Sequence, residues 1–447
     1  MTAGAPTPHE RRVLAAVAER RDEIVALAVD LIRCDTTARV PGDPPRDERR
    51  LQELLAARLT ACGADVDLFE PDPAELAGRP LVPDGLDFAG RPQLIARLPG
   101  GGGGRGRSLV LNGHIDVVPA REDDGWASPP FAPEVRDGRL FGRGACDMKG
   151  GIAAMVVAAE ALAREAALAG DLLVATNTDE ESSGAGGVAL VDRGLRADAA
   201  IVTEPTGLDV WVACRGSNYA AVTVEGRAGH AEIAHADWRA GGAVNAIDKA
   251  MVVVRALGEL TERWATEPEL AHPVLSRPAT LATVVRGGDW PVTIPGSCEL
   301  TVGVLFLPVQ ADAQGFSRDV EREVEAFVQA RVAELDDWLA GHPPRFAWAQ
   351  ASVMPFETPP DEPIVRSTVD ALQALGEPGR LSGLDSWYDG ATLSVLGGIP
   401  SIALGPPGLG RDGTMLAHAV DEHVPVDALV RTAQALALTA LRFCGPA

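Results

Sequence analysis

Short apolar runs alternating with helical segments constrain this chain more than any other feature. Strand-like runs at 93–98 (Gln93 to Leu98) and 108–112 (Ser108 to Asn112) precede a mostly apolar helix expected over 150–166. A strand at 171–177, a helix near 187–193 and a strand at 199–203 continue the alternation. Such a series implies an α/β layer: a mixed, largely parallel sheet with helices on both faces. Upstream, helical spacing covers 9–33 (Val13, Val17, Ile24, Leu27, Ala28, Leu31) and 48–62, with a strand at 65–69. The glycine-rich stretch Gly100 to Arg107 lacks the G-K-[ST] ending of a phosphate loop and is expected to be a flexible hairpin connection.

The pattern changes after about 213. Residues 217–225 alternate (Tyr219, Ala221, Thr223, Glu225), as a half-exposed strand does. A helix at 240–264, strands at 279–286 and 297–306, a helix at 315–338 and a strand at 344–350 follow. This β-α-β-β-α-β order is that of a ferredoxin-like α+β unit. With 447 residues the chain exceeds the roughly 250–300 that one core supports. The expected organisation is therefore a first domain of 1–213 and 354–447, interrupted by an inserted domain of 214–353.

Charge narrows the partners. Forty Lys+Arg against 63 Asp+Glu give a formal net charge of −23. That excludes sequence-independent binding to a phosphate backbone or an anionic membrane, so neither nucleic acid nor a membrane is an expected partner. Six scattered cysteines without paired spacing fit a reduced, cytoplasmic protein. The apolar stretch Val13 to Ala18 is too brief for a signal-peptide core, and no uncharged apolar run reaches the length of a membrane span.

Chemistry-bearing residues gather at strand ends. Asn112-Gly113-His114-Ile115-Asp116-Val117-Val118-Pro119 follows one strand, and the period of two puts His114 and Asp116 on one side. Gly142-Arg143-Gly144-Ala145-Cys146-Asp147-Met148-Lys149-Gly150-Gly151 opens the apolar helix. Thr178-Asp179-Glu180-Glu181-Ser182-Ser183-Gly184 and Thr203-Glu204-Pro205-Thr206 end two further strands, and Ala417-His418-Ala419-Val420-Asp421-Glu422 lies far downstream. Sites of open α/β sheets form at the carboxyl ends of strands, so His114, Asp147, Glu180, Glu181 and Glu204 could converge there. Several carboxylates in one cleft repel one another unless divalent cations neutralise them. An imidazole and carboxylate set without thiolate suits catalytic zinc, with cobalt or manganese as alternatives.

Together these motifs resemble the metallopeptidase M20 family, which includes acetylornithine deacetylase, succinyl-diaminopimelate desuccinylase, aminoacylase-1 and the glutamate carboxypeptidases. The resemblance implies a centre of two divalent metal ions: His114 and Glu204 on one, Glu181 and His418 on the other, Asp147 bridging. It implies a cis peptide at Asp147-Met148, Glu180 as general base, and Asp116 accepting a hydrogen bond from the His114 ring. It places His230, in the inserted domain, at the tetrahedral intermediate, and makes that domain a lid through which a homodimer forms.

One departure bears on substrate. Similar enzymes carry an Asn before Ile-Pro in the lid and an Arg on the next strand, which grasp a substrate carboxylate. Here Val292 precedes Thr293-Ile294-Pro295, and the strand runs to Leu305-Phe306-Leu307-Pro308 without Arg. Arg215, Asn218 and Arg286 are candidate replacements, and Asp389 in the aromatic loop Leu384 to Gly390 is a candidate pocket residue. The expected activity is hydrolysis of the amide of a small N-acylated amine or amino acid, by a deacylase or deformylase. A dipeptidase or carboxypeptidase with the same centre is the alternative, and a non-catalytic binding relative a third.

Overall fold

The structure is a computed structural model that describes residues 4–103, 105–350, 352–410 and 412–447. Gly104 in the expected loop 100–107, Arg411 in the loop 405–417, and the terminal Met1, Thr2 and Ala3 lie outside the described residues, as does Ala351. The chain divides into two units: Met1–Ala213 with Glu357–Gly383 and Tyr388–Ala447, and Cys214–Phe356 with Leu384–Trp387.

The first unit begins with two helices where the spacing suggested one. Pro8–Glu19 is capped by Thr7 and Glu10 in a reciprocal box, and Arg21–Ile32 follows. The break falls at Arg20, whose buried side chain turns inward to Glu23, Glu160 and the Val157 carbonyl. The sheet strands are β1 (Asp65–Phe69), β2 (Gln93–Leu98), β3 (Leu109–His114), β4 (Leu172–Asn177), β5 (Ala199–Val202) and β6 (Val210–Cys214). The inserted segment contributes β7 (Gly216–Glu225), β8 (Ala279–Gly287), β9 (Ser297–Phe306) and β10 (Arg345–Trp348); β11 (Phe356–Glu357), β12 (Leu381–Leu384) and β13 (Ser401–Ala403) follow.

In the large sheet the order is β1-β2-β4-β3-β5-β13-β6-β11, with β12 beside β6. β4, β3, β5 and β13 are mutually parallel, while β1-β2, β2-β4 and β13-β6 are antiparallel. The sheet is therefore mixed with a parallel centre. β2 and β3 flank β4, so the connection at 100–107 passes around a strand and is not the hairpin expected. Helix Lys149–Glu165 is buried almost throughout, between β3 and helices Arg21–Ile32 and Val426–Cys444. Its alanine-rich sequence is what lets it pack on every side.

The second unit has an antiparallel sheet of order β8-β9-β7-β10. On β7 the residues Ala220, Val222 and Val224 are buried while Tyr219 is exposed, so the period of two sets which face meets the helices. Helices Ala246–Thr266 and Arg318–Leu335 cover that sheet; the first presents Val253, Leu257, Leu260 and Trp264 as its buried stripe. It starts at 246 rather than 240 because Asn245 caps the Ile247 amide.

Candidate metal centre

Three parallel strands set up the site. His114 is the last residue of β3, Asp179-Glu180-Glu181 follow β4, and Glu204 lies just past β5, all at one edge of the sheet. Asp147 stands two residues before helix Lys149–Glu165, whose N-terminal dipole favours negative charge. A Cβ on Gly151 would stand 2.4 Å from the Thr203 carbonyl oxygen, so only glycine lets this helix seat against the end of β5. The Asp147-Met148 peptide is cis.

Asp147 faces both histidines. Its Oδ1 is 3.3 Å from His114 Nε2 and its Oδ2 is 3.4 Å from His418 Nε2. His418 Nε2 is also 3.1 Å from Glu181 Oε1. One donor atom each of His114, Asp147 and Glu181 lie within 4.8 Å of one another. His114 Nδ1 lies 2.9 Å from the Asp116 carbonyl oxygen, so Nδ1 carries a proton and donates there while Nε2 faces Asp147. A metal-ligating imidazole is oriented by its other nitrogen in the same way.

Asp116 differs from expectation. Its carboxylate is 3.6 Å from His114 Nδ1, beyond hydrogen-bond range, because the backbone carbonyl takes that role. The carboxylate instead accepts the backbone N–H groups of Glu180 at 3.2 Å and Glu181 at 3.0 Å. It thus orients the glutamate pair.

Burial governs the electrostatics. It pushes the Glu180 carboxyl well above the usual range, opposed by His114 and reinforced by the Glu204 and Glu181 charges. It does the same to Glu204, reinforced by Asp147. Glu204 Oε1 is buried with no hydrogen-bond partner. Burial alone would raise Asp147 too, but the two imidazoles hold it well below the carboxylate range. His418 is pushed up to about 10 by its bonds to Asp147 and Glu181. An orphan carboxylate oxygen, a carboxylate between two imidazoles and several mutually repelling acids fit a pair of divalent cations. The neighbouring Cys146 thiol is buried, and burial pushes it well up.

A buried ion-pair network supports the glutamates. Asp179, with φ 66°, is in the left-handed region and carries no exposed surface. Arg91 donates to it and lies 3.3 Å from Glu48, while Arg39 is 3.7 Å from Glu48. The Asp179 carbonyl receives the Ser183 amide at 3.0 Å and the Gly184 amide at 2.6 Å, closing the turn that presents Glu180 and Glu181. Arg91 was not found from the sequence, since its partner Asp179 is 88 residues away. Asn177 was also missed, although a polar side chain ending an apolar strand was a signal. It bonds Asn112 at 2.9 Å and Asp389 at 2.5 Å.

Of the substrate-binding candidates, Asn218, Arg215 and Arg286 belong to the second unit and Asp389 to the first. Asn218 is buried in the second unit, where its amide donates to Ser317, Glu321 and the Ala349 carbonyl, so it is a structural tie. Arg215 is held by the carbonyls of Asp385 and Arg277. Arg286 is exposed on β8, 3.6 Å from Glu299. Asp389 is buried rather than lining an open surface, and burial pushes its carboxyl up to about 7. His230 lies exposed in a short ladder pairing with Thr293 in the second unit, its Nδ1 accepting the Glu232 amide.

The model of Peptidase family M20/M25/M40 matches residues 110–442, so the chain belongs to that family. The N-formyl-4-amino-5-aminomethyl-2-methylpyrimidine deformylase of Halalkalibacterium halodurans is 29% identical over 453 residues, 97% of each chain. The succinyl-diaminopimelate desuccinylase of Xanthomonas campestris pv. campestris is 32% identical over 372 residues, 79% of this chain and 90% of that one. Aminopeptidase PepT of Bacillus cereus shares the fold with TM-score 0.67 at 18% identity, covering 95% of this chain and 99% of that one.

Proposed function

We propose that this member of the M20/M25/M40 family is a metal-dependent deacylase of the deformylase type, cleaving the amide of a small N-acylated amine. The observation that carries the reading is Asp147, whose two oxygens face the Nε2 atoms of His114 and His418 separately. Full-length similarity to an N-formyl-amine deformylase supports the reaction type.

His114 and Glu204 would hold one cation and Glu181 and His418 the other, with Asp147 shared; zinc suits this donor set best. Bound there, a pair of divalent cations supplies Lewis acidity that lowers the pKa of water from 15.7 toward about 7. Glu180 accepts the proton of the attacking water and returns it to the departing amine. Burial raises its carboxyl pKa, which makes it a stronger base for the first step. Asp116 fixes the Glu180 amide, and the Asp179 turn fixes the chain on either side. His230 would stabilise the oxyanion.

The missing carboxylate clamp, with Val292 where relatives have Asn, favours an amine without an α-carboxylate. The protein is further proposed to act in the cytoplasm, which its scattered cysteines suit, as a homodimer through its inserted unit. The test is a panel of N-formyl, N-acetyl and N-succinyl amines against dipeptides, with zinc-loaded protein. Formate or acyl release from amines at higher kcat/KM than any dipeptide is expected. Faster dipeptide cleavage overturns the proposal in favour of a peptidase.

A further inference from the structure

Between β-strand Arg139–Phe141 and helix Lys149–Glu165 the chain bends irregularly, and its amides need acceptors. One side chain supplies them. Glu422 is fully buried, and its Oε1 accepts the Cys146 amide at 2.9 Å and the Asp147 amide at 3.1 Å. Its Oε2 accepts the Gly144 amide at 3.0 Å and Arg143 Nη1 at 2.6 Å. Its own carbonyl accepts the Gly142 amide at 3.0 Å.

Arg143 is buried as well and carries the tie onward. Its Nη2 donates to the His418 carbonyl at 3.2 Å and its Nη1 to the Ala419 carbonyl at 3.4 Å, while the Trp126 ring centroid lies 5.1 Å from its guanidinium. His418 needs such a tie: its side chain is 53% exposed, and its backbone, with φ 64°, is in the left-handed region. The carboxylate that would bridge the cations and the imidazole that would hold the second are thus bonded to one buried ion pair.

We infer that Glu422 and Arg143 are positioning residues that fix Asp147 and His418 relative to each other, and so set the affinity of the second cation. This rests on the metal centre proposed above. A carboxylate that accepts four donors holds the backbone of Asp147 so that each oxygen meets its own imidazole. A planar guanidinium fork bonds Glu422 and the His418 carbonyl through two separate nitrogens, where a lysine offers only one. A role in folding alone predicts instead that both cations weaken together or not at all.

The test compares the full-length parent with Glu422→Gln and Arg143→Lys. Glutamine keeps the shape but turns an NH2 group toward amide donors. Zinc titration of metal-stripped protein should show one of two sites weakened by about 10–100-fold in each variant, with the other changed far less. The kcat should fall by a comparable factor while KM stays within about twofold. In metal-free Glu422→Gln, exchange of the Gly144, Cys146 and Asp147 amides should quicken by about tenfold or more. Two sites of parent affinity with parent kcat overturn the inference, as does equal weakening of both. Should Glu422→Gln not fold, Arg143→Lys decides on the same titration. Should the parent itself bind no cation pair, the proposed function fails; faster exchange at residues 144–147 and 418–419 of metal-free Arg143→Lys then still supports the tie, and unchanged exchange overturns it.

Discussion

Replacing Arg91 by methionine should destabilise the chain more than almost any other single substitution. Arg91 is 1% exposed and stands between Asp179, 0% exposed, and Glu48, 2% exposed. Arg39, 3.7 Å from Glu48, is the remaining cation of this group. Methionine fills most of the same volume but leaves Asp179 buried without its cation, so that it must ionise unpaired or take up a proton. Breaking a buried pair in this way costs about 3–5 kcal/mol. That corresponds to roughly two to three and a half powers of ten in the folding equilibrium. Urea unfolding of chelator-treated protein measures it, since bound cations would mask the loss by stabilising the native state. The double variant Arg91→Met with Asp179→Asn removes the stranded charge, and should regain about 0.5–3 kcal/mol relative to the sum of the two single losses. A loss below about 1 kcal/mol for Arg91→Met, or losses that simply add, would show that Arg91 does not compensate Asp179.

Glu180→Gln should lower kcat by about 10²–10⁴-fold while metal content, by mass spectrometry, is kept; loss of metal with activity would make Glu180 a ligand instead. Zinc affinity of the stripped protein should rise with pH. The carboxylates raise the pKa of His418 to about 10, so below that value a proton occupies the imidazole and competes with the cation. The apparent Kd should fall about tenfold per pH unit for each proton displaced, and a Kd independent of pH contradicts this. Of the six cysteines only Cys62 is not buried, so a thiol reagent should label one group quickly in the native protein and six after unfolding.

Much of the site was legible because its donors stand at strand ends, where glycine and small neighbours mark the chain's turn into a cleft. His114, Asp147, Glu181 and His418 come together although 304 positions, from 114 to 418, separate the first and last. The period of two gave the side on which Asp116 lies, but not which of its oxygens meets the His114 ring. Local pattern also misplaced Asn218: an alternating strand puts it on the buried face, yet a polar residue there suggests exposure until Glu321 and Ser317 are seen beside it. The small sheet of Glu134–Arg136, Arg139–Phe141 and His423–Pro425 has strands too short to show any period. Arg91 and Glu422 were invisible for another reason. A buried ion pair leaves no local signature, and its meaning comes from a partner distant in sequence.

Anomalous diffraction from zinc-loaded crystals would locate the cations themselves. Two peaks about 3.5–4 Å apart are expected, one beside His114 and Glu204 and one beside Glu181 and His418, with an oxygen of Asp147 near each. A single peak, or two that do not share Asp147, would contradict the proposed two-cation centre.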